Sequence, residues 1–356
     1  MKKGSGKKLV AVIFYLLLLI LIMAAAVLAY RLSRTKEEIT VKPNFNLVPG
    51  TDEDEKVDDL YEFETMQDPS SPFEDLESLE KANYKDSEYV HYLILGVDTR
   101  SSEKLSKSDT IIILSINEET ERVVLTPVPR DTYVYIKGKG WDKIAYAYAY
   151  GKAALVKETL EFNYDLTFSG YFTIGFKGLE DIVDELGGLE ITLTKEESEH
   201  MSSFYGVEGT HAGVNLLNGL QTITYCRISK IDSDFERTTR QYNVLCAIYD
   251  KFKGVSTSYY PKLVSKFYSY IHTDCSTAEC IDIVTAIYEQ GFERLSYRLM
   301  FTKDEGSGRN INGVYYFVLD DMQEVVTNWH RYLGETDYTP SKTVKALSSC
   351  LSRIKG

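Results

Sequence analysis

The sequence predicts an α/β fold, a sheet covered on both faces by helices, and three observations carry that expectation. Residues 92–97, 110–116 and 122–128 are β-branched, apolar runs without helical spacing, the pattern of strands buried on both sides. Residues 176–186 instead gather their apolar side chains on one helical face, and Gly187 follows where a helix C-terminus favours glycine. Extended and helical segments then mix without a compositional break or internal repeat, so residues 89–340 are read as one domain.

The remaining elements follow in order. Residues 145–150 alternate Ala and Tyr ahead of a helical composition, and 145–162 are read as one helix. Leu189, Ile191 and Leu193 alternate as a strand. Residues 215–225 suggest a short helix, and 235–252 a longer one with Arg240 on its first turns. A helix over 277–290 and a strand over 314–319 complete the reading, with 341–356 left as a tail.

The N-terminal quarter differs in kind. Residues 9–30 carry no charge and match the ~20 residues of a transmembrane helix. Lys2, Lys3, Lys7 and Lys8 in the 1–8 tail, with the free N-terminus, place that end in the cytoplasm and the body outside. Ala24-Ala25-Ala26 offers the alternative of a cleaved signal peptide, but the apolar stretch exceeds the usual ~7–15 residues. Residues 31–88 read as an acidic, proline-containing linker.

Charge is distributed unevenly. The formal net charge is −13: residues 36–89 hold 17 acids against 5 bases, residues 1–35 add six bases, and about −7 remains across the rest of the chain. Nonspecific nucleic-acid binding needs a basic face and is excluded as a leading reading. No Cys-x-x-Cys or His-Glu-x-x-His motif is present, so a zinc site is not supported. The five cysteines read as small buried hydrophobes, with Cys275 and Cys280 near enough in sequence to bridge outside the cell.

Charged residues cluster at the edges of the apolar runs. The stretches are Leu95-Gly-Val-Asp98-Thr-Arg100, Ser108-Asp109-Thr110 and Pro129-Arg130-Asp131-Thr-Tyr133, followed by Tyr225-Cys-Arg227 and Asp234-Phe-Glu-Arg237-Thr-Thr-Arg240-Gln241. Carboxylates hold divalent metals and arginine forks hold phosphate oxygens bidentately. Together, beyond a membrane anchor, they point to a lipid-linked phosphate handled outside the cell. Each residue also has an ordinary reading. Asp98 suits a turn after a strand, and Arg130 with Asp131 suits a surface pair worth ~0–1 kcal/mol. Arg237 and Arg240 share a helical face that solvent alone would explain. Asp232, Asp234 and Glu236 lack the spacing of a calcium loop.

Taken as an ordered series, with Lys143-Ile144, Asp184-Glu-Leu-Gly-Gly188, Leu217-Asn-Gly-Leu220 and Gly313-Val-Tyr-Tyr316, these motifs resemble the LytR-CpsA-Psr family of bacterial envelope proteins. The resemblance implies a mixed central β-sheet sandwiched between helices, with an apolar tunnel for a polyprenyl chain and a pyrophosphate site at its mouth. It implies a phosphotransferase that moves a glycopolymer phosphate, such as teichoic acid or capsule, from an undecaprenyl pyrophosphate carrier to peptidoglycan. The location implied is the cell membrane, single-pass, with the catalytic domain outside a Gram-positive cell.

The resemblance also assigns residues. Arg130, Lys143, Arg227, Arg237, Arg240 and Gln241 would contact the phosphates, and Asp98 and Asp109 would hold Mg²⁺ or a similar cation. Asp109 is the first choice for the proton acceptor, with Asp131 the alternative, and Arg130 belongs to the same catalytic group. Departures lie at Ser229, where a second arginine is common, and at Ala145, Lys152 and Glu236. Two other functions stay open: a polyprenyl-pyrophosphate hydrolase, and a non-catalytic lipid- or polymer-binding regulator.

Overall fold

The computed structural model describes residues 76–81, 89–97, 106–120, 122–252, 271–276 and 295–354. The apolar span at 9–30, most of the acidic linker, Asp98, Cys280 and the helix expected over 277–290 lie outside them. No helix among the described residues is long and apolar enough to cross a membrane. The described chain falls into two compact units, residues 175–252, 271 and 275–276 in one and 76–174, 272–274 and 295–354 in the other.

The larger unit is built on a six-stranded sheet. β1 (Val90–Val97), β2 (Ser108–Asn117) and β3 (Arg122–Pro127) form an antiparallel meander at its centre. β4 (Tyr133–Ile136) and β5 (Gly140–Lys143) make a separate hairpin that leads into helix α1 (Ile144–Tyr164). β6 (Phe168–Gly175) returns to the sheet beside β1. Ile111–Ile116 and Val123–Leu125 are buried without alternation, so both faces of these strands are covered, as the apolar runs predict.

The α1 segment is one helix only in outline. Gly151 and Lys152 leave helical geometry, Lys152 at φ 57°, and break the rod after the Ala-Tyr stretch. A Cβ at Gly151 would stand 2.5 Å from the Leu155 side chain, so the kink needs glycine.

The smaller unit runs through α2 (Phe176–Glu185), β7 (Leu189–Leu193), α3 (Lys195–Ser203), β8 (Gly213–Leu217), α4 (Gly219–Arg227) and α5 (Asp234–Phe252). Gly187 and Gly188 sit at φ 74° and 87° in the turn after α2, the conformation that predicts glycine there. The helix expected over 215–225 is corrected: β8 pairs antiparallel with β7, and only the part after Asn218 is helical. The misreading has a physical source. Val214 and Leu216 on the outward face of β8 are 56% and 63% exposed, so the strand lacks the polar alternation that would announce it.

Later in the chain, β9 (Ile271–Thr273) and β10 (Leu295–Tyr297) close the two edges of the large sheet, and β10 lies parallel to β3, which makes the sheet mixed. β11 (Gly306–Ile311) and β12 (Val314–Leu319) form a hairpin. Helix α6 (Met322–Leu333) seats Trp329 against the sheet, its indole N–H donating to Thr126 Oγ1 at 3.2 Å. Residues 342–354, expected as a tail, form helix α7 (Lys342–Ile354), which buries Val344, Leu347 and Leu351.

Candidate functional site

Asp109 owes its placement to a β-bulge. In the β1–β2 ladder Gly96 pairs with Thr110 and Val97 with Ser108, so Asp109 is the extra residue of the bulged strand. Bulges re-aim a side chain at the end of a ladder. Gly96 makes the approach possible, since a Cβ there would stand 2.8 Å from Thr110 Cβ. The glycine of the first motif and the threonine of the second are thus cross-strand neighbours.

Arg130 lies in the turn between β3 and β4. Its Nη1 donates to Asp109 Oδ1 at 2.6 Å, and the two side chains are 26% and 20% exposed. The turn is tied to the start of α1, where helical amides lack partners within the helix. Ile144 N–H donates to Thr132 O at 2.9 Å and Ala145 N–H to Arg130 O at 3.1 Å. This stitching brings Lys143, the residue capping α1, beside the turn. Its ammonium stands 3.1 Å from Asp131 Oδ1 and is largely buried, which a cation tolerates only with a partner.

Aromatic residues complete this cluster. Lys143 Nζ lies 5.9 Å from the ring centroids of Tyr146 and of Tyr316, and Lys107 Nζ lies 4.4 Å above the Tyr146 ring. Asp142 accepts hydrogen bonds from Tyr150 Oη at 2.6 Å, Tyr316 Oη at 3.3 Å and Lys143 N–H at 2.7 Å. Burial pushes the Asp142 carboxyl above its usual range, against those hydrogen bonds. Lys107 and Asp142 are not among the residues the sequence assigns to the site, and Tyr316 enters it only as the last residue of the Gly313-Val-Tyr-Tyr316 motif. Lys107 directly precedes the Ser-Asp-Thr motif, a signal that was available.

The second cluster lies in the smaller unit. Arg227 ends α4 with its guanidinium 5.4 Å from the Tyr205 ring centroid, and its carbonyl accepts from Tyr205 Oη at 3.1 Å. Arg237 and Arg240 on α5 are each 4% exposed, so their shared face is not a solvated one. Arg240 Nε donates to Glu197 Oε1 at 2.7 Å, Nη1 donates to Ile228 O at 2.8 Å, and the fork also grips Asp232. The two carboxylates hold the guanidinium pKa above its ordinary value against the opposing effect of burial. Gln241 Nε2 reaches Cys226 O at 3.5 Å. Arg240 and Gln241 therefore fasten α5 to the last turn of α4, where Arg227 sits.

Glu197 was missed in the sequence although its signal is legible. Thr194-Lys-Glu-Glu197 is a capping box, Thr194 Oγ1 accepting from Glu197 N–H and Glu197 Oε2 accepting from Thr194 N–H. Its other oxygen takes Arg240. The Leu217-Asn-Gly-Leu220 motif also proves to be a cap: Asn218 and Gln221 form a second box, and Gly219 N–H donates to Asp184 Oδ1 at 2.7 Å.

The structure therefore gathers Asp109, Arg130, Asp131 and Lys143 in one cluster and Arg227, Arg240 and Gln241 in another. Among the described residues no group of three or more His, Cys, Asp or Glu side chains is placed to hold a metal. A mixed sheet with a carboxylate at a bulge, locked to an arginine beside a carboxylate–lysine pair, defines a mixed α/β protein with a compact cluster of paired charges. The chain belongs to the LytR_cpsA_psr family, whose family model matches residues 54–331.

Named relatives agree with one another. The polyisoprenyl-teichoic acid–peptidoglycan teichoic acid transferase TagU of Bacillus subtilis is 30% identical over 258 residues, 69% of this chain and 80% of that protein. The TagU protein of Oceanobacillus iheyensis is 29% identical over 271 residues, 73% and 81% of the two chains. Among solved structures, TagT bound to LIIa-WTA superimposes with a TM-score of 0.57 at 27% identity, covering 70% of this chain and 92% of that one. A TagT structure with bound octaprenyl pyrophosphate lipid gives a TM-score of 0.55 at 25% identity, covering 70% and 91%.

Proposed function

We propose that this protein is a membrane-anchored phosphotransferase that moves a glycopolymer phosphate from a polyprenyl pyrophosphate carrier to peptidoglycan, outside the cell. The observation that carries the reading is the Asp109–Arg130 pair beside Asp131–Lys143, assembled from three motifs of a family whose named members are teichoic acid transferases. The apolar segment at 9–30 supplies the anchor.

The chemistry asks for neutralised phosphates and a proton acceptor. An acceptor-sugar hydroxyl oxygen bonds to the phosphorus that carries the polymer. The bond from that phosphorus to the oxygen shared with the lipid phosphate breaks, and polyprenyl phosphate leaves. Arg130 and Lys143, beside Asp109, are the proposed phosphate contacts, donors that stabilise charge as it moves. Asp109, or Asp131 in its place, takes the proton released by the attacking hydroxyl.

Asp98 and Asp109 would hold Mg²⁺. The fit rests on donor type, because Mg²⁺ uses one or two carboxylates with phosphate oxygens and water rather than a cage of protein ligands. When bound, the cation would add positive charge beside the phosphates.

The test is transfer by the full-length protein in detergent, given a lipid-pyrophosphate donor of defined saccharide and peptidoglycan fragments. Polymer-linked fragment and polyprenyl phosphate are the expected products. Release of free polymer phosphate with no linked fragment would replace transfer by hydrolysis, and neither product would leave a binding protein.

A further inference from the structure

We infer that Tyr316 is a positioning residue for the proposed reaction, holding the Lys143 ammonium against Asp131 from a strand more than 170 residues away in the chain. The inference rests on the proposed transfer and names a part of that site which none of the charged motifs contains.

Four contacts carry it. The Tyr316 ring, 3% exposed, lies with its centroid 5.9 Å from Lys143 Nζ, close enough to attract the cation. Its hydroxyl donates to Asp142 Oδ1 at 3.3 Å, and that same oxygen accepts Lys143 N–H at 2.7 Å. Its ring meets Tyr133 edge-on, with centroids 4.7 Å apart. The next residue, Phe317, donates its N–H to Asp131 O at 2.9 Å and bridges in parallel to Thr132. One dipeptide of β12 thus touches the Asp131 backbone, the Lys143 backbone by way of Asp142, and the Lys143 ammonium.

A lysine side chain has four rotatable bonds, and fixing its end costs rotamer entropy. Asp131 fixes the ammonium at one point, and the Tyr146 ring, on the helix that Lys143 leads into, draws it from one direction. The Tyr316 ring adds an attraction from a separate strand, and Asp142 holds the segment from which the side chain departs. Tyr150, which donates to the other Asp142 oxygen at 2.6 Å, keeps that carboxylate in place. Tyr316 touches no phosphate in this account and acts through Lys143.

The experiment compares Tyr316→Leu and Tyr316→Phe in the full-length protein. The phenylalanine keeps the ring beneath Lys143 and loses only the hydroxyl, so it serves as the conservative variant that folds. We expect Tyr316→Leu to lower kcat about 10²-fold with KM for the lipid donor changed less than about threefold, and Tyr316→Phe to recover most of that loss. A second readout needs no turnover: the rate of Lys143 acetylation by acetic anhydride, followed by mass spectrometry, rises several-fold in Tyr316→Leu and stays near the parent rate in Tyr316→Phe.

An unchanged acetylation rate in Tyr316→Leu overturns the inference. So does full kcat in a variant whose Lys143 has become reactive. Absence of transfer by the parent protein sinks the proposed function instead, and the acetylation rates still decide whether Tyr316 places Lys143.

Discussion

Arg130 Nη1 and Asp109 Oδ1, 2.6 Å apart, join a turn residue to the extra residue of a β-bulge. The pair lies 21 residues apart in sequence and is partly exposed, so a substrate can reach it. In the proposed reaction the arginine stabilises phosphate charge and the carboxylate receives a proton. Asp109→Ala and Arg130→Ala should each lower turnover at least ~10²-fold. Near-UV circular dichroism should show both variants folded, and full activity in either would remove the pair from the chemistry.

Glu197→Ala should destabilise the smaller unit by about 3 kcal/mol, because it strips a buried guanidinium of one carboxylate. It also breaks the capping box at the start of α3. Urea unfolding would measure the loss, and a midpoint equal to the parent's would show that Asp232 and Ile228 O suffice for Arg240.

Gly219→Ala should cost about 1–3 kcal/mol through overpacking. A Cβ at that position would lie 2.4 Å from Glu180 O, which belongs to helix α2 and cannot swing aside. Thermal unfolding would report a lowered midpoint. An unchanged one would mean that α4 shifts at no cost.

Stability should also depend on Glu335. Burial raises its carboxyl to about 7 from an ordinary 4.5. A raised folded pKa favours the protonated group, so the contribution is complete below about pH 4.5 and disappears as pH rises through 7. The parent should lose on the order of 2 kcal/mol across that window relative to Glu335→Gln. Denaturant unfolding of both proteins at pH 5 and pH 8 makes the comparison, and parallel behaviour would show that Glu335 titrates normally. His330 Nδ1 lies 3.0 Å from Glu335 Oε2 and loses that carboxylate in Glu335→Gln, so the same comparison is repeated in a His330→Asn background.

Much of this architecture was legible because burial leaves marks in sequence. The three central strands announced themselves through unbroken apolar runs, and α2 through its one-sided face and the glycine after it. β8 did not, since apolar residues occupy its outward face as well. The hairpin β4–β5 is only four residues per strand and offers too short a pattern to read.

The site was legible as a set of motifs and opaque as geometry. Asp109, Arg130, Asp131 and Lys143 were named from their order, and the structure brings them together. The bulge at Asp109 depends on register between two strands, which no single strand encodes. Glu197 stands 43 residues before the arginine it holds, and Tyr316 stands 174 after the carboxylate it touches. Contacts at such separations are fixed by topology, and local spacing carries no trace of them.

The backing strand β12 has a practical consequence for anyone shortening this molecule. Cutting the chain before Val314 would spare each charged side chain assigned to phosphate, proton or cation. The fragment would nevertheless lack the dipeptide against which Asp131 and Lys143 are seated. Such a fragment should keep the complete list of reactive groups and lose the wall that aims them.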